Sequence, residues 1–184
     1  MIVQTLALDF FRNYLHFEGV FSPGVNVIWG DNAQGKTNLL EGIAYLSTAS
    51  SHRARYDREL IRMGEDHSFI KAQILSRDRT FALEARLHRG ARRQLLSNGV
   101  RLKTAGELAG VLNTVLFCPE DLWLIREGAA VRRKFLDSCI CQLRPRYAEA
   151  LAEYRRLYEH KTRILRDWEE HPSLLDTLEE FNLR

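Results

Sequence analysis

The stretch VNVIWGDNAQGKTNLLEGIAYL, residues 25–46, decides how this chain is interpreted. Its opening VNVIW is rich in β-forming residues and predicts a strand, while the apolar residues after Lys36 recur at helical spacing and predict a helix that ends near Thr48. Between them lies GDNAQGKT, which fits the phosphate-loop pattern G-x-x-x-x-G-K-[ST]. Strand, glycine-rich loop and helix in this order form the context in which the pattern binds phosphate.

The residues of this loop are the candidates for binding a nucleotide. Successive backbone N–H groups between Gly30 and Lys36 are expected to form a nest for a β-phosphate, which the positive end of the helix dipole also attracts. The Lys36 ammonium is expected to reach the β- and γ-phosphates, and the Thr37 hydroxyl to ligate Mg²⁺. The predicted nucleotide-binding residues are Gly30, Asp31, Asn32, Ala33, Gln34, Gly35, Lys36 and Thr37. The pattern by itself leaves open a kinase, a GTPase and a DNA-directed ATPase.

The segments on either side of the loop and its helix predict a β-rich lobe. Strands are expected in IVQTLALDF and YLHFEGVF before the loop, and in SFIKAQIL and TFALEARLH after the helix. Asn98-Gly99 is a strong two-residue hairpin signal. Thr104 and Glu107 form a capping-box pattern for a short helix towards Leu112, and TVLF, residues 114–117, is predicted to be a buried strand.

The remainder of the chain is predicted to be helical. Apolar side chains recur at four-residue steps from Val131 to Leu143, which indicates an amphipathic helix. Pro145 suits the first position of a second, long helix, because its missing N–H is not needed there. His171-Pro172 is expected to end that helix, and Ser173 to cap another.

Composition indicates an ordinary globular protein, since 45% of the residues are apolar and 28% are charged. The apolar runs are far shorter than the ~18 residues that a membrane span requires. The N-terminal residues lack the pattern of a secretion signal. These features predict a cytoplasmic protein without a membrane partner.

Cysteines and histidines do not form a metal-binding pattern. The three cysteines are Cys118, Cys139 and Cys141, an odd number in which the C-x-C pair is one residue tighter than the C-x-x-C of zinc and redox sites, and free thiols are expected. No H-x-x-x-H or H-E-x-x-H pattern occurs. A metal site built from histidine and cysteine is therefore not predicted.

Basic residues are clustered although the net charge is only +3. The clusters lie in residues 53–62, 86–93 and 132–134. Such clusters are typical of solvated surfaces, and they also occur where phosphates of nucleic acid are bound. Composition alone favours solvated surfaces.

Motifs along almost the whole chain resemble the RecF family. They are FRNY (11–14), PGVNVI (23–28), GDNAQGKTNLLE (30–41), SHR (51–53), ELIR (59–62), VLFCPEDLWLI (115–125) and RRKFLD (132–137). On these residues the chain is similar to the N-terminal half of RecF, a bacterial ABC-type P-loop ATPase related to SMC heads. The combination of NAQGKTNLLE with PEDL is far more specific than a phosphate loop alone.

The resemblance implies an α/β P-loop NTPase of the ABC-ATPase head type, with a mixed sheet around the phosphate-loop helix. Residues 1–118 would form the N-terminal part of the ATP-binding lobe, and residues 119–184 the start of an inserted helical lobe. The family's acidic Walker B strand and signature motif have no counterpart in this sequence. The fold is therefore expected to be incomplete, and the chain by itself is expected to be inactive as an ATPase.

The resemblance also implies a function: a slow DNA-dependent ATPase that uses ATP and Mg²⁺. Its partners would be single-stranded and gapped DNA, RecO-type and RecR mediators, and a second copy in an ATP-dependent homodimer. It would support recombinase loading in recombinational repair and the SOS response. Arg53 and Arg55 match a DNA-contacting basic loop of related heads. Arg12 and Asn13 match a position near the nucleotide, or are a surface pair at a strand end.

Two other functions remain open. The chain is alternatively a truncated, non-catalytic module that binds a nucleotide or a partner. A nucleotide kinase would need an arginine-rich lid and an acceptor site. The resemblance favours the ATPase for the origin of the chain and leaves the non-catalytic module open for this polypeptide.

Overall fold

The computed structural model describes residues 1–108, 111–168, 170–171 and 178. The chain divides into two compact units, Met1–Pro145 and Arg146–Arg184. The first unit contains the sheet and the phosphate loop, and it is the unit in which the candidate site lies.

Six strands of the first unit form one sheet. They are β1 (Ile2–Phe11), β2 (Tyr14–Val20), β3 (His67–Ser76), β4 (Arg79–His88), β5 (Gln94–Ser97) and β6 (Val100–Arg101). Their order is β2-β1-β3-β4-β5-β6, and every pairing is antiparallel. The strands predicted before the loop's VNVIW segment and after the helix are confirmed. The parallel neighbours that a mixed sheet requires are not among these described strands.

The hairpin between β5 and β6 forms at Asn98-Gly99, as the sequence predicts. Both residues have positive φ, 50° and 78°, which a two-residue hairpin of this twist requires. The Asn98 side chain also accepts the Ala82 N–H at 2.8 Å, and its own N–H donates to the Ala82 carbonyl at 2.8 Å. The turn is therefore tied to β4 as well as to its own strands.

Helix α1 (Lys36–Thr48) ends at the predicted residue. Leu39 and Leu46 are buried against the sheet. At Gly42 the helix approaches β1 so closely that an added Cβ would lie 3.0 Å from Cδ2 of Leu8. This packing holds the phosphate loop, which immediately precedes α1, at a defined place beside the sheet.

A single apolar core fills the space between the sheet and α1. In β3 and β4 the buried residues alternate with half-buried or exposed ones, as the period of two requires. The fully buried large side chains include Leu6, Leu8, Phe11, Tyr45, Leu46, Leu60, Ile70, Ile74, Leu83, Leu87 and Leu108. In β4 the buried face consists of Leu83, Ala85 and Leu87.

Two predicted strands are not found, and these predictions are wrong. VNVIW and TVLF have no strand hydrogen bonds. Val25, Val27 and Trp29 are 90%, 79% and 87% exposed, and Val115 and Phe117 are almost completely exposed. A strand needs a hydrogen-bonded neighbour, and no described segment pairs with either stretch.

The segment after β6 contains the predicted cap but a shorter helix. The N–H groups of Lys103 and Thr104 both donate to Oε1 of Glu107 at 2.9 Å. The helix that follows is a 3₁₀ turn over Ala105–Leu108, and residues 109–110 lie outside the described part.

The helices after β6 largely follow the predicted pattern. After the short 3₁₀ and helical turns Pro119–Leu122 and α2 (Trp123–Arg126), helix α3 spans Ala129–Leu143. Helix α4 spans Pro145–Asp167 and begins at the predicted proline. The predicted break and the next helix fall mainly on residues 172–177 and 179–184, outside the described part. None of the described helices is both long and apolar enough to cross a membrane.

Candidate nucleotide-binding site

The phosphate loop joins the exposed VNVIW segment to α1. Lys36, in the first turn of α1, donates from Nζ to the carbonyl oxygens of Gly30 at 2.7 Å and Asp31 at 2.6 Å. Gly30 has a φ of 144°, which a residue with a side chain rarely adopts. The lysine ammonium is therefore held against the loop backbone by carbonyl acceptors that phosphate oxygens can replace.

The first turn of α1 carries unused backbone donors. The N–H groups of Asn38 and Leu39 donate to the Gly35 carbonyl at 2.8 and 3.1 Å. Those of Lys36 and Thr37 have no backbone acceptor in the part of the chain that the structure describes. No acidic residue lies in this turn to neutralise the positive end of the helix dipole. The helix start thus combines free donors with a favourable potential for an anion.

The turn between β1 and β2 supports the loop from one side. Nδ2 of Asn13 donates to the Gln34 carbonyl at 3.2 Å, and Nδ2 of Asn38 donates to Oδ1 of Asn13 at 2.8 Å. A Cβ built on Gly35 would lie 2.7 Å from Oδ1 of Asn13 and 2.9 Å from Cζ of Tyr14. Glycine at position 35 is therefore required by packing and by its φ of 103°.

A buried carboxylate, Glu41, connects α1 to two other segments. Oε2 of Glu41 accepts from Nε of Arg12 at 2.9 Å, and Oε1 accepts from Nη2 of Arg12 at 2.7 Å and from Oγ of Ser51 at 2.5 Å. Nη1 of Arg53 lies 3.7 Å from Oε2. The Glu41 side chain has no exposed surface. We call Glu41, Arg12, Ser51 and Arg53 the Glu41 network.

The Glu41 network keeps its carboxylate ionised. Burial by itself raises the pKa of Glu41. The hydrogen bonds from Arg12 and Ser51 and the charges of Arg12 and Arg53 lower it by a larger amount. The net pKa lies below the ordinary value of a glutamate. The network also reaches the loop, because Nη1 of Arg53 donates to Oδ1 of Asn38 at 3.0 Å.

A basic cavity of about 610 Å³ lies beside the network. Four arginines line it together with Asn13 and Asn38: Arg12, Arg53, Arg58 and Arg89. Guanidinium groups suit the oxygens of a polyphosphate, since each offers several N–H donors in one plane. The sequence left open whether Arg12 and Asn13 lie near the nucleotide or form a surface pair. In the structure both lie next to the phosphate loop: Arg12 bonds to Glu41 of α1, and Asn13 bonds to the Gln34 carbonyl of the loop.

The two arginines predicted to contact DNA lie in different surroundings. The Arg53 side chain is 40% exposed and bonds within the Glu41 network. The Arg55 guanidinium lies over the Tyr56 ring at 5.4 Å from its centroid, and the backbone N–H of Arg55 donates to Oε2 of Glu59 at 3.2 Å. The structure brings Arg53, but not Arg55, to the cavity next to the phosphate loop.

Glu41 was not among the residues predicted from the sequence to form the site. A signal was available, because a glutamate among buried helix residues needs a cationic partner. The sequence does not show which cation is the partner of Glu41, since Arg12 is 29 positions away in the chain.

The loop residues fit a Mg²⁺-nucleotide. An added Cβ at Gly30 would meet no atom within 4 Å, so the loop has open space on that side. Lys36 supplies a cation, the two free N–H groups supply donors, and the exposed Thr37 carries the hydroxyl that could hold Mg²⁺. The donor set matches a polyphosphate with one hard cation.

Comparison with known families agrees with this geometry. A family described as "AAA domain" matches residues 5–182. The chain belongs to the AAA domain family. The match includes the phosphate loop, strands β2 to β6 and helices α1 to α4.

Proteins named DNA replication and repair protein RecF are similar to this AAA domain over its whole length. The one from Agathobacter rectalis is 40% identical over 185 residues, which are 100% of this chain and 51% of the relative. The one from Lachnospira eligens is 39% identical, with the same coverage of both chains. The chain spans about half the length of these curated relatives. The predicted resemblance to the N-terminal half of RecF is confirmed.

Solved structures show the same fold. A structure described as the recombination mediator protein RecF-ATPrS in the RecFOR pathway superposes with a TM-score of 0.89 at 34% identity, over 98% of this chain and 49% of that one. An SMC ATPase structure superposes with a TM-score of 0.60 at 21% identity, over 74% of this chain and 98% of that one. The second likeness concerns the fold alone. Together they confirm the predicted α/β P-loop fold of the ABC-ATPase head type.

Proposed function

We propose that this AAA domain binds Mg²⁺-ATP through residues 30–37 and is the ATP-binding part of a RecF-like DNA replication and repair protein. The observation that carries the proposal is the position of Lys36, whose ammonium bonds to two loop carbonyls at the start of α1. The similarity to proteins named RecF and to the solved RecF-ATPrS structure supports it.

Each part of the loop has a role in this proposal. The N–H groups of Lys36 and Thr37 bind phosphate oxygens, the Lys36 ammonium exchanges its carbonyl acceptors for them, and the Thr37 hydroxyl binds the metal. Mg²⁺ neutralises charge on the phosphates when it is bound. Asn13 holds the loop at the Gln34 carbonyl, so the donors are in place before the ligand arrives.

The same geometry favours binding without turnover in this chain. Hydrolysis needs a group that orients the attacking water. Glu41, the buried acid beside the loop, accepts from Arg12 and Ser51 and has no exposed surface with which to contact an attacking water. We infer that the chain alone binds ATP and does not hydrolyse it at the rate of an intact ATPase.

The function of the whole protein is part of the proposal. It binds single-stranded and gapped DNA, closes as an ATP-dependent homodimer and acts with RecO and RecR to support recombinase loading. The setting is recombinational repair and the SOS response in the bacterial cytoplasm. Similarity to a protein described as a recombination mediator in the RecFOR pathway supports this reading.

A second candidate function is a non-catalytic interaction module. The exposed apolar side chains of VNVIW and TVLF favour it, because large exposed apolar surfaces mark contact with another polypeptide. Both candidate functions include nucleotide binding. They differ in that the interaction module never hydrolyses ATP, whereas the ATP-binding part belongs to a protein that does.

The test of nucleotide binding is thermal unfolding and calorimetric titration with Mg²⁺-ATP. A ligand at ~100 times its Kd stabilises the folded state by about 2.7 kcal/mol, so the melting temperature should rise by several degrees. Lys36→Ala should remove this shift and weaken binding at least tenfold. Lys71→Ala, at an exposed position of β3, is the matched control and should behave as the unaltered chain.

Two results would contradict the proposal. A melting temperature indifferent to Mg²⁺-ATP would remove the claim of binding. Phosphate release comparable to an intact ATPase, and abolished by Lys36→Ala, would remove the claim of inactivity and exclude the non-catalytic module.

A further inference from the structure

A second cavity, of about 530 Å³, lies beside the β5–β6 hairpin at the edge of the sheet. We propose that it is a docking site for the phosphate backbone of nucleic acid, separate from the nucleotide site. Three cations carry the site: Arg92, Arg101 and Lys103. The choice of nucleic acid as the ligand rests on the proposed function.

The β5–β6 hairpin presents two of these cations on a fixed backbone. Leu102 donates its N–H to the Leu95 carbonyl at 2.8 Å, and its side chain packs against the apolar core. Arg101 and Lys103, on either side of it, are exposed. Because neighbouring residues of an extended chain point in opposite directions, burial of Leu102 turns both cations outward.

The third cation, Arg92, lies in the loop between β4 and β5, where an exposed residue again precedes a half-buried one. Arg93 is half-buried, and its Nη1 lies 2.9 Å from Oδ2 of Asp57 and 3.5 Å from the Tyr45 hydroxyl. Arg92, the preceding residue, is exposed and lines the cavity. The buried arginine thus fixes the place of the exposed one.

The acidic groups nearby are already engaged. Asp57 is the acidic residue that lines the cavity, and it accepts from Arg93 and from the Tyr45 hydroxyl at 2.8 Å. Glu107 accepts the N–H groups of Lys103 and Thr104 with one oxygen. Burial raises the pKa of the Tyr45 phenol, which stays protonated and neutral.

The three exposed cations have no ion-pair partner within residues 1–108 and 111–168. The ion pairs of this region join other residues, such as Arg93 with Asp57 and Arg86 with Glu84. The three cations outnumber the one unpaired carboxylate beside them, Glu107, and such an excess of positive charge attracts an anionic ligand and raises its local concentration. The cavity is therefore complementary to phosphate groups.

The form of the site favours a polymer over a single phosphate. Its cations are exposed, long and flexible, and they come from two separate loops, so a contact with one free phosphate is weak. A nucleic-acid strand presents several phosphates in a row and releases counterions at each contact. Several phosphate contacts made together by one strand therefore bind more tightly than the contact with a single free phosphate.

The cavity is separate from the nucleotide site. Arg93, on its wall, contacts Tyr45, which lies ~13 Å from Lys36 along α1 at 1.5 Å per residue. Loss of one site should therefore leave the other intact.

The test measures the binding of a fluorescent single-stranded oligonucleotide by anisotropy over a series of salt concentrations. The variant Arg92→Ala, Arg101→Ala, Lys103→Ala is compared with Lys71→Ala, Arg77→Ala, Arg79→Ala, a triple variant at exposed positions of β3, β4 and their turn. Both change the net charge from +3 to 0, since each removes three cations. Only the position of the lost charge differs.

The salt dependence should change only in the cavity variant. A slope of log K against log salt of roughly −0.7 per phosphate makes three contacts worth about −2 for a single strand. The cavity variant should lose about this much of the slope, and the control triple little. Arg92→Lys with Arg101→Lys keeps the charges and should retain the slope.

Three outcomes would overturn the inference: an unchanged slope in the cavity variant, equal losses in both triples, or displacement of the oligonucleotide by micromolar tripolyphosphate. Lys36→Ala should leave oligonucleotide binding unchanged. If the unaltered chain failed to bind Mg²⁺-ATP while the cavity variant behaved as expected, only the nucleotide proposal would fail.

Discussion

Replacement of Glu41 by glutamine is the sharpest test of the buried network. The substitution keeps the shape of the side chain and removes its charge. One of the two oxygens becomes an NH₂ group, which faces the N–H groups of Arg12 or the hydroxyl of Ser51 and cannot accept from them. At least one charge-assisted hydrogen bond is lost, and the Arg12 guanidinium loses its counter-charge.

The magnitude follows from the burial of the groups. Breaking a buried ion pair by removing one partner costs about 3–5 kcal/mol. Glu41 has no exposed surface, but the Arg12 side chain is 20% exposed and that of Arg53 is 40% exposed, so water partly replaces the lost contacts. We therefore expect a loss of about 3 kcal/mol in the free energy of unfolding at pH 7, near the lower limit.

The loss should depend on pH. The pKa of Glu41 is lowered in the folded protein, so the network contributes its full stability above the unfolded pKa of about 4.3 and loses it as the pH falls through the folded pKa. Glutamine does not titrate. The difference between the two proteins should be largest at neutral pH and should narrow below about pH 4.

The assay is urea unfolding followed by circular dichroism at several pH values. Glu84→Gln is the control, because Glu84 pairs with Arg86 at 2.6 Å on the partly exposed surface of β4. A surface pair of this kind contributes about 0–1 kcal/mol. A Glu41→Gln loss no larger than that of the control, or one that does not narrow in acid, would refute the reasoning.

The remaining predictions concern packing. Gly35→Ala should destabilise the protein by at least about 1–2 kcal/mol and abolish the Mg²⁺-ATP shift, because φ is 103° and the new Cβ would lie 2.7 Å from Oδ1 of Asn13; an unchanged shift in calorimetry would contradict this. Leu83→Ala should cost about 2–5 kcal/mol in urea unfolding because Leu83 is fully buried. Trp29→Ser, at an 87% exposed position, should stay within about 0.5 kcal/mol, and a larger loss would show that VNVIW packs against the fold.

Features with local causes were predictable from the sequence. The end of α1 at Thr48, the start of α4 at Pro145 and the hairpin at Asn98-Gly99 depend on periodicity, on proline at a helix start and on positive φ in a turn. The phosphate loop belongs to the same class, since its donors lie on consecutive residues. Neighbours in the chain are sufficient to form such features.

The partners within the site were not predictable in the same way. Glu41 meets Arg12 across 29 positions, and Arg53 bonds to Asn38 across 15. The sequence places all four residues in motifs but does not say which of them touch. Arg53 was therefore assigned to DNA on a motif alone, while the structure shows its bonds to α1.

The sequence by itself determined the phosphate loop, its helix and the family resemblance, because contiguous residues carry the loop's chemistry. Only the tertiary structure decided that VNVIW and TVLF are not strands, that Glu41 joins three segments and that Arg92, Arg101 and Lys103 share a cavity. The reason is physical: a strand requires a neighbour for its hydrogen bonds, and a buried charge requires a counter-charge, and the fold brings both from distant parts of the chain.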